Sequence, residues 1–338
     1  MVMPIPPEQR HFRFDVNSQS ATDTRTHRIK PSAIALFPKK CDNIICFTSL
    51  ERKGGERLLT INRRIIAAGM VLLSLCIAPD LLIAAERART ITIGGTGCAL
   101  GGMKHIAHAL QKEHPELTVK IIPSLGSGGG IKGVLAGSLD VALSARPLNG
   151  REQAQGASAI EYARTPFVFV SATASRRRAV TLEQAASIYG GDVHEWPDHT
   201  PIRLVMRPEA DADTALLKAM SQAMEQAVRK ALSRDGMLVA VTDQENADML
   251  AKVTGAFGAA SLTQIVAEKR PLRALSLDGV VPSLKTLAQG AYPYYKVFYA
   301  VTGPHPSPDA RLLLDFLISP EGRTILTKTG HLVPQRAQ

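Results

Sequence analysis

Two arginines stand where a chain could grip an anion. Arg146 follows the run Asp140-Val141-Ala142-Leu143-Ser144-Ala145, and Arg207 follows Ile202-Arg203-Leu204-Val205-Met206. Each run reads as a strand, and ligands of open α/β sheets sit just outside the carboxyl ends of the strands. A guanidinium presents a planar fork to two oxygens and stays charged at any relevant pH. Neutral donors accompany the arginines: Thr96, Cys98, Ser127, Ser144 and Thr214. Gly97, Gly128 and Gly129 lie in two glycine-rich turns, 94–97 and 126–130, each at the start of a helical pattern. Glycine lets a backbone approach a ligand closely. The first amides of a helix have no internal partner, and the helix dipole adds positive charge there. Taken singly, each glycine turn reads equally well as a tight connection. Together with the arginines the turns describe a seat for an oxyanion.

Other chemistries lack their residues. The first glycine turn is out of register for G-x-G-x-x-G, and no acidic residue follows the second strand, where Ile122 runs into Pro123-Ser124. No G-x-x-x-x-G-K-[ST], H-E-x-x-H or G-x-S-x-G occurs. His105 and His108 share a helix, while His114, His194, His199, His305 and His331 are scattered. Cys98, at a helix start, has no base near it in sequence. No enzyme, cofactor or metal centre is expected. Half of the formal charge of +10 falls in residues 1–85, and aromatics are only 5% of the chain. Without a basic stripe interleaved with aromatics, nucleic acid is not an expected partner.

The elements that must position these residues repeat a simple unit. Thr90–Ile93, Leu117–Ile122 and Asp140–Ser144 read as strands. Between them lie a helix with Met103, Ile106, Ala107 and Leu110 on one face, and a short helix from Ile131 to Ala136. Two strand-turn-helix units in succession imply a parallel sheet. Further on, a strand at 162–170 leads to Thr181–Gly191, a helix with an N-cap threonine and a glycine stop. One long helix is expected from Ala215 to Leu232, with an apolar stripe through Leu216, Leu217, Met220, Ala223, Met224, Ala227 and Val228.

Several stretches carry a resemblance. They are Gly95-Thr96-Gly97, Gly126–Lys132, Asp140–Leu148, Thr181-Leu182-x-Gln184 through Ile188-Tyr189-x-Gly191 to Trp196 and Ile202, and Phe316-Leu-Ile-Ser319-Pro320-Glu321-Gly322. Through them the chain resembles phosphate-binding proteins of ABC transporters, over roughly Ile91 to Val333. The resemblance implies an α/β fold, a two-lobed type II periplasmic binding protein with two crossover hinge strands. It implies lobe 1 at 89–165 plus 262–335 and lobe 2 at 166–261. It implies a monomer that binds inorganic phosphate or a similar oxyanion and docks on an ABC permease in the membrane. A periplasmic sensor module of the same fold is the alternative. Arg207 matches the family's ligand-binding arginine, and Arg146 a residue common but not universal in it. The chain also departs from the pattern. Where the family carries Ser-Gly-Thr donors, this sequence holds Asp211-Ala212-Asp213-Thr214, and Ala145 stands where an aspartate is frequent. An ionised carboxylate accepts but does not donate. It would suit a ligand that carries a proton, such as hydrogen phosphate. Asp213 reads equally as the N-cap of the helix that follows.

Residues 1–60 lack sustained periodicity and read as a disordered extension or an over-extended translation start. At 61–85 a basic Arg63-Arg64 precedes an apolar run through Ala78, with Ile83-Ala84-Ala85 before a cut. This is the pattern of a secretory signal, so a periplasmic location is expected. Leu73-Ser74-Leu75-Cys76 ranks a lipoprotein second, because Leu75 is large for the position before a lipidated cysteine.

Overall fold

The computed structural model describes residues 89–334, so the extension at 1–60 and the signal at 61–85 lie outside the described residues. The first elements are β1 (Arg89–Gly95), α1 (Gly97–Glu113), β2 (Leu117–Ile121), α2 (Gly126–Leu135) and β3 (Val141–Ser144). Strands β2 and β3 flank β1 in parallel, as strand-turn-helix repetition requires. All four residues of β3 are buried, because helices and neighbouring strands cover both faces. A short α3 (Gly150–Ala154), held by an Asn149–Glu152 capping box, leads into β4 (Ser158–Ala172). Then come β5 (Ala179–Val180), α4 (Leu182–Gly190), β6 (Arg203–Met206), α5 (Ala212–Ala219), α6 (Gln222–Leu232), β7 (Leu238–Val239), α7 (Asp243–Lys252) and β8 (Ala256–Ser261). The chain closes with α8 (Leu262–Ala267), β9 (Leu272–Ala274), β10 (Ser276–Leu277), α9 (Leu284–Ala288), β11 (Tyr295–Thr302), α10 (Pro308–Ile318) and α11 (Pro320–Lys328).

One strand organises the two lobes. The sheet runs β2-β1-β3-β11-β4-β8-β6-β7, with β9 also on β4. Residues Ser158 to Pro166 of β4 pair with β11, and Phe167 to Val170 pair with β8. Apolar burial divides at the same place. Ile91, Ile93, Met103, Ile106, Leu143, Phe298 and Leu313 form one core. Phe169, Tyr189, Val205, Met224, Leu250 and Phe257 form the other, where the Phe169 and Phe257 rings stack 5.5 Å apart. Near both crossings, Thr165 donates to Gly330 O at 2.9 Å and accepts from the Thr263 amide at 3.1 Å. Thr263 Oγ1 donates to Thr329 O at 2.7 Å and lies 3.1 Å from His331 Nδ1. Burial holds the His331 imidazole down at about 4, so it is neutral at physiological pH.

The structure departs from the sequence expectations in three places. The single helix expected from Ala215 to Leu232 is two. Asp211 caps α5, and Ser221 caps α6 by accepting from the Met224 amide at 3.1 Å, which breaks the chain at Met220-Ser221. Helix α2 begins at Gly126, so the glycine run is itself helical. Close packing explains Gly130: a Cβ there would lie 2.7 Å from Gly95 Cα. Lastly, Leu272, Leu275, Leu277 and Tyr292 are buried in the second core, with β9 on the distal end of β4. The segment 272–292 therefore packs with the second lobe, whereas the sequence expectation groups all of 262–335 with the first.

Candidate functional site

Helix α1 starts where β1 ends, and Thr96 is its N-cap with no side-chain capping bond. The Thr96 hydroxyl instead donates across the lobes to Asp243 Oδ2 at 3.4 Å. Asp243 lies in the first turn of α7, which Thr242 caps. Space at Gly97 is tight: a Cβ would strike Gln244 Oε1 and lie 2.9 Å from both Asp243 Oδ2 and Ser124 Oγ, so these side-chain ends would have to move. The Gln244 amide donates to Gly97 O at 2.9 Å, a second contact between lobes.

Arg207 arrives from the end of β6, 4% exposed. Its Nη1 donates to Ala240 O at 2.8 Å and its Nη2 to Asp211 Oδ2 at 2.8 Å, with Asp243 Oδ1 at 3.8 Å. Its Nε is buried and has no hydrogen-bond partner. Burial works against the charge, but Asp243, Asp211 and Asp213 outweigh it, and the guanidinium pKa is raised.

A second buried cation completes the cluster. Lys296 of β11 is 1% exposed and forms an ion pair with Asp213 Oδ1. Its Nζ also donates to Cys98 Sγ at 3.4 Å, lies 4.0 Å from Asp243 Oδ1, and sits 5.6 Å from the centre of the Phe167 ring. Burial alone would lower its pKa. Asp213, Cys98 and Asp243 together prevail, so the ammonium stays protonated. Burial raises Asp213 to about 6 against the pull of Lys296, which leaves it ionised at neutral pH. Burial and Asp243 push the Cys98 thiol up to about 12, so it is a neutral, weak hydrogen-bonding partner and not a nucleophile.

The residues singled out in sequence separate into two groups. Thr96, Gly97, Cys98, Arg207, Asp213 and Thr214 come together between the lobes, though the Thr214 hydroxyl donates to Arg207 O at 3.2 Å and Pro208 O at 2.9 Å. Asp213 is a buried ion-pair partner, and the capping role falls to Asp211, whose Oδ1 accepts from the Asp213 amide at 2.9 Å. Ser127, Gly128, Gly129, Ser144 and Arg146 gather at α2 and the end of β3. There Ser127 Oγ accepts from the Ala145 amide at 2.9 Å, and Ser144 Oγ donates to Arg146 O at 2.6 Å. Arg146 makes a bidentate pair with Glu152 at 2.9 and 2.7 Å and a further bond to Pro147 O, so its fork is already filled.

Sequence reasoning missed Lys296 and Asp243. The first had a signal. In Tyr295–Ala300, Lys296 is in phase with Phe298 and Ala300, so a half-buried strand turns all three the same way. A lysine on an apolar face calls for a partner. Asp243 had no such signal, because an acid in the first turn of a helix is ordinary.

Comparison with known proteins agrees with this architecture. A model of the PBP superfamily domain matches residues 83–321. The phosphate-binding protein PstS of Bacillus subtilis (strain 168) is 22% identical over 253 residues, 72% of this chain and 80% of that protein. A candidate phosphate ABC transporter substrate-binding protein from Clostridium perfringens, solved with bound phosphate, superposes with a TM-score of 0.63 at 20% identity. The match covers 73% of this chain and all (100%) of that one. An ABC-type phosphate transport receptor from Vibrio cholerae gives 0.52 at 20% identity, over 72% and 100%. With a two-lobed α/β fold strung on β4, a polar cluster between the lobes and a domain match over most of its length, this chain belongs to the PBP superfamily.

Proposed function

We propose that this chain is an extracytoplasmic substrate-binding protein that captures an oxyanion, inorganic phosphate first, and delivers it to an ABC permease. The observation that carries the reading is the convergence of two buried cations, Arg207 and Lys296, beside Thr96 at the start of α1. Desolvating a cation is costly, and these two stand together beside the N-terminus of a helix, itself a favourable place for an anion. The B. subtilis relative is a phosphate-binding protein and the C. perfringens structure holds phosphate, which makes phosphate the first ligand to test.

The carboxylates favour the same choice. Asp211, Asp213 and Asp243 surround the two cations, so a fully deprotonated anion meets repulsion. Hydrogen phosphate can donate its proton to a carboxylate, and sulfate has none to donate at neutral pH. Thr96, Gly97, Arg207, Lys296 and Asp213 are the proposed contacts, with the lobes closing about β4 and β8. The chain acts by binding and release, as a monomer, outside the cytoplasm. Titration calorimetry of the exported protein with phosphate, sulfate and other oxyanions at fixed salt tests the reading. Phosphate should bind and sulfate should not, and Asp213→Asn should narrow that difference. Failure to bind any oxyanion of the panel would overturn it.

A further inference from the structure

Arg207 and Lys296 both lie near one further carboxylate, that of Asp243. Asp243 reaches from the first turn of α7 in the second lobe to the start of α1 in the first. The residue is 4% exposed. Its carboxylate accepts from the Thr96 hydroxyl at 3.4 Å, lies 3.8 Å from Arg207 Nη2 and 4.0 Å from Lys296 Nζ, and stands directly over Gly97. Two features fix it there. Its main-chain carbonyl accepts from Gln264 Nε2 at 3.0 Å, and the next residue, Gln244, donates to Gly97 O. No acidic residue lies in the first turn of α1 itself, so the negative charge at that helix end comes from the other lobe. A hydroxyl donor, two cations and a helix N-terminus are what an oxyanion needs, and here one carboxylate accepts from the hydroxyl, lies within 4.0 Å of both cations and stands beside the helix start.

We propose that Asp243 is an internal stand-in for the oxyanion: it holds the lobes together and competes with ligand for Thr96, Arg207 and Lys296, and so sets how tightly an oxyanion binds. The proposal rests on the oxyanion-binding reading above. An entering ligand must displace the Asp243 carboxylate or neutralise its repulsion, and either lowers affinity. The charged groups facing the same point are Asp211 and Asp213 of the α5 turn, Arg207 from β6 and Lys296 from β11, with the neutral Cys98 of α1 beneath them. Removing the Asp243 charge leaves two cations against two carboxylates, a better host for an anion.

The test is calorimetric titration of inorganic phosphate into the parent, Asp243→Asn and Asp243→Glu, with melting curves to verify folding. Asparagine keeps the shape at the helix start and removes the charge. Phosphate affinity should rise tenfold or more in Asp243→Asn, while Asp243→Glu should stay within threefold of the parent. Equal or weaker binding by Asp243→Asn overturns the proposal and makes Asp243 a bystander or a direct ligand contact. If neither parent nor variant binds any oxyanion, the functional reading has failed, and this proposal with it. Should the variant not fold, peptide-resolved hydrogen exchange on the parent tests the same point. Segments 94–102 and 240–247 should be protected without phosphate, and saturating phosphate should slow their exchange by less than threefold. Slowing by threefold or more would show that ligand, not Asp243, brings the lobes together.

Discussion

Replacing Lys296 with methionine should be among the most damaging single changes in the protein, and the damage should depend on pH. The side chain is 1% exposed, and its ammonium is paired with Asp213, itself 2% exposed. Methionine fills the same space without the charge. It leaves Asp213 facing Asp211 and Asp243 with only Arg207 to balance them. Removing one partner of a buried pair costs about 3–5 kcal/mol, because the other charge is stranded. The parent Asp213 already sits at about 6, above the ordinary aspartate value of 3.8, and loss of Lys296 raises it further. For an acid whose folded pKa lies above its unfolded one, the favourable contribution is complete below the unfolded value and is lost as pH rises through the folded value. The penalty of Lys296→Met should therefore be larger at pH 7.5 than at pH 5. His331 works in the opposite sense. Its folded pKa of about 4 lies below 6.5, so it withdraws stability as pH falls, but it does so in parent and variant alike and cancels in their difference. The assay is urea unfolding of parent, Lys296→Met, Asp213→Asn and the double variant at pH 7.5 and 5. The double variant should recover most of the loss. A cost below about 1 kcal/mol at pH 7.5, or one that grows on acidification, would refute the account of the pair.

Arg207→Ala should weaken phosphate binding by about 2–5 kcal/mol, as for truncation of one desolvated charge, and lower the melting temperature because Asp211 and Asp243 lose their partner. Unchanged affinity by calorimetry would remove Arg207 from the site. Arg146→Ala should leave phosphate affinity within a factor of three, since its fork is filled by Glu152, and cost no more than about 1 kcal/mol of stability. A large affinity loss would mean that Arg146 leaves Glu152 for the ligand. The exported protein should begin near Glu86, as N-terminal sequencing can read; an intact Met1 on protein outside the cytoplasm would contradict the signal at 61–85.

What the sequence disclosed and what it hid follow from the range of the interactions. That Thr96, Gly97, Cys98 and Arg207 gather in one place was legible because each lies just past the end of a strand, and strand ends can be read from a few neighbouring residues. The break at Met220-Ser221 was not, because the apolar stripe runs across it in helical phase and only the Ser221 cap interrupts it. Segment 272–292 was misplaced for a different reason: β9 pairs with residues of β4 about a hundred positions earlier, and nothing local records that partner.

The site divides along the same line. Arg146 and Arg207 look alike in sequence, each a basic residue just past a strand, and the fold separates them through their carboxylates. Glu152 is six residues from Arg146 and captures it on the surface of one lobe. Asp211 is four residues from Arg207, yet Arg207 is buried with Nε unpaired, and Lys296 and Asp243 reach the same cluster from a distant strand and helix. A single arginine is ambiguous for that reason. A second buried cation from another element sets Arg207 apart: Arg146 is satisfied by the one carboxylate of Glu152, whereas Arg207 and Lys296 stand together among Asp211, Asp213 and Asp243.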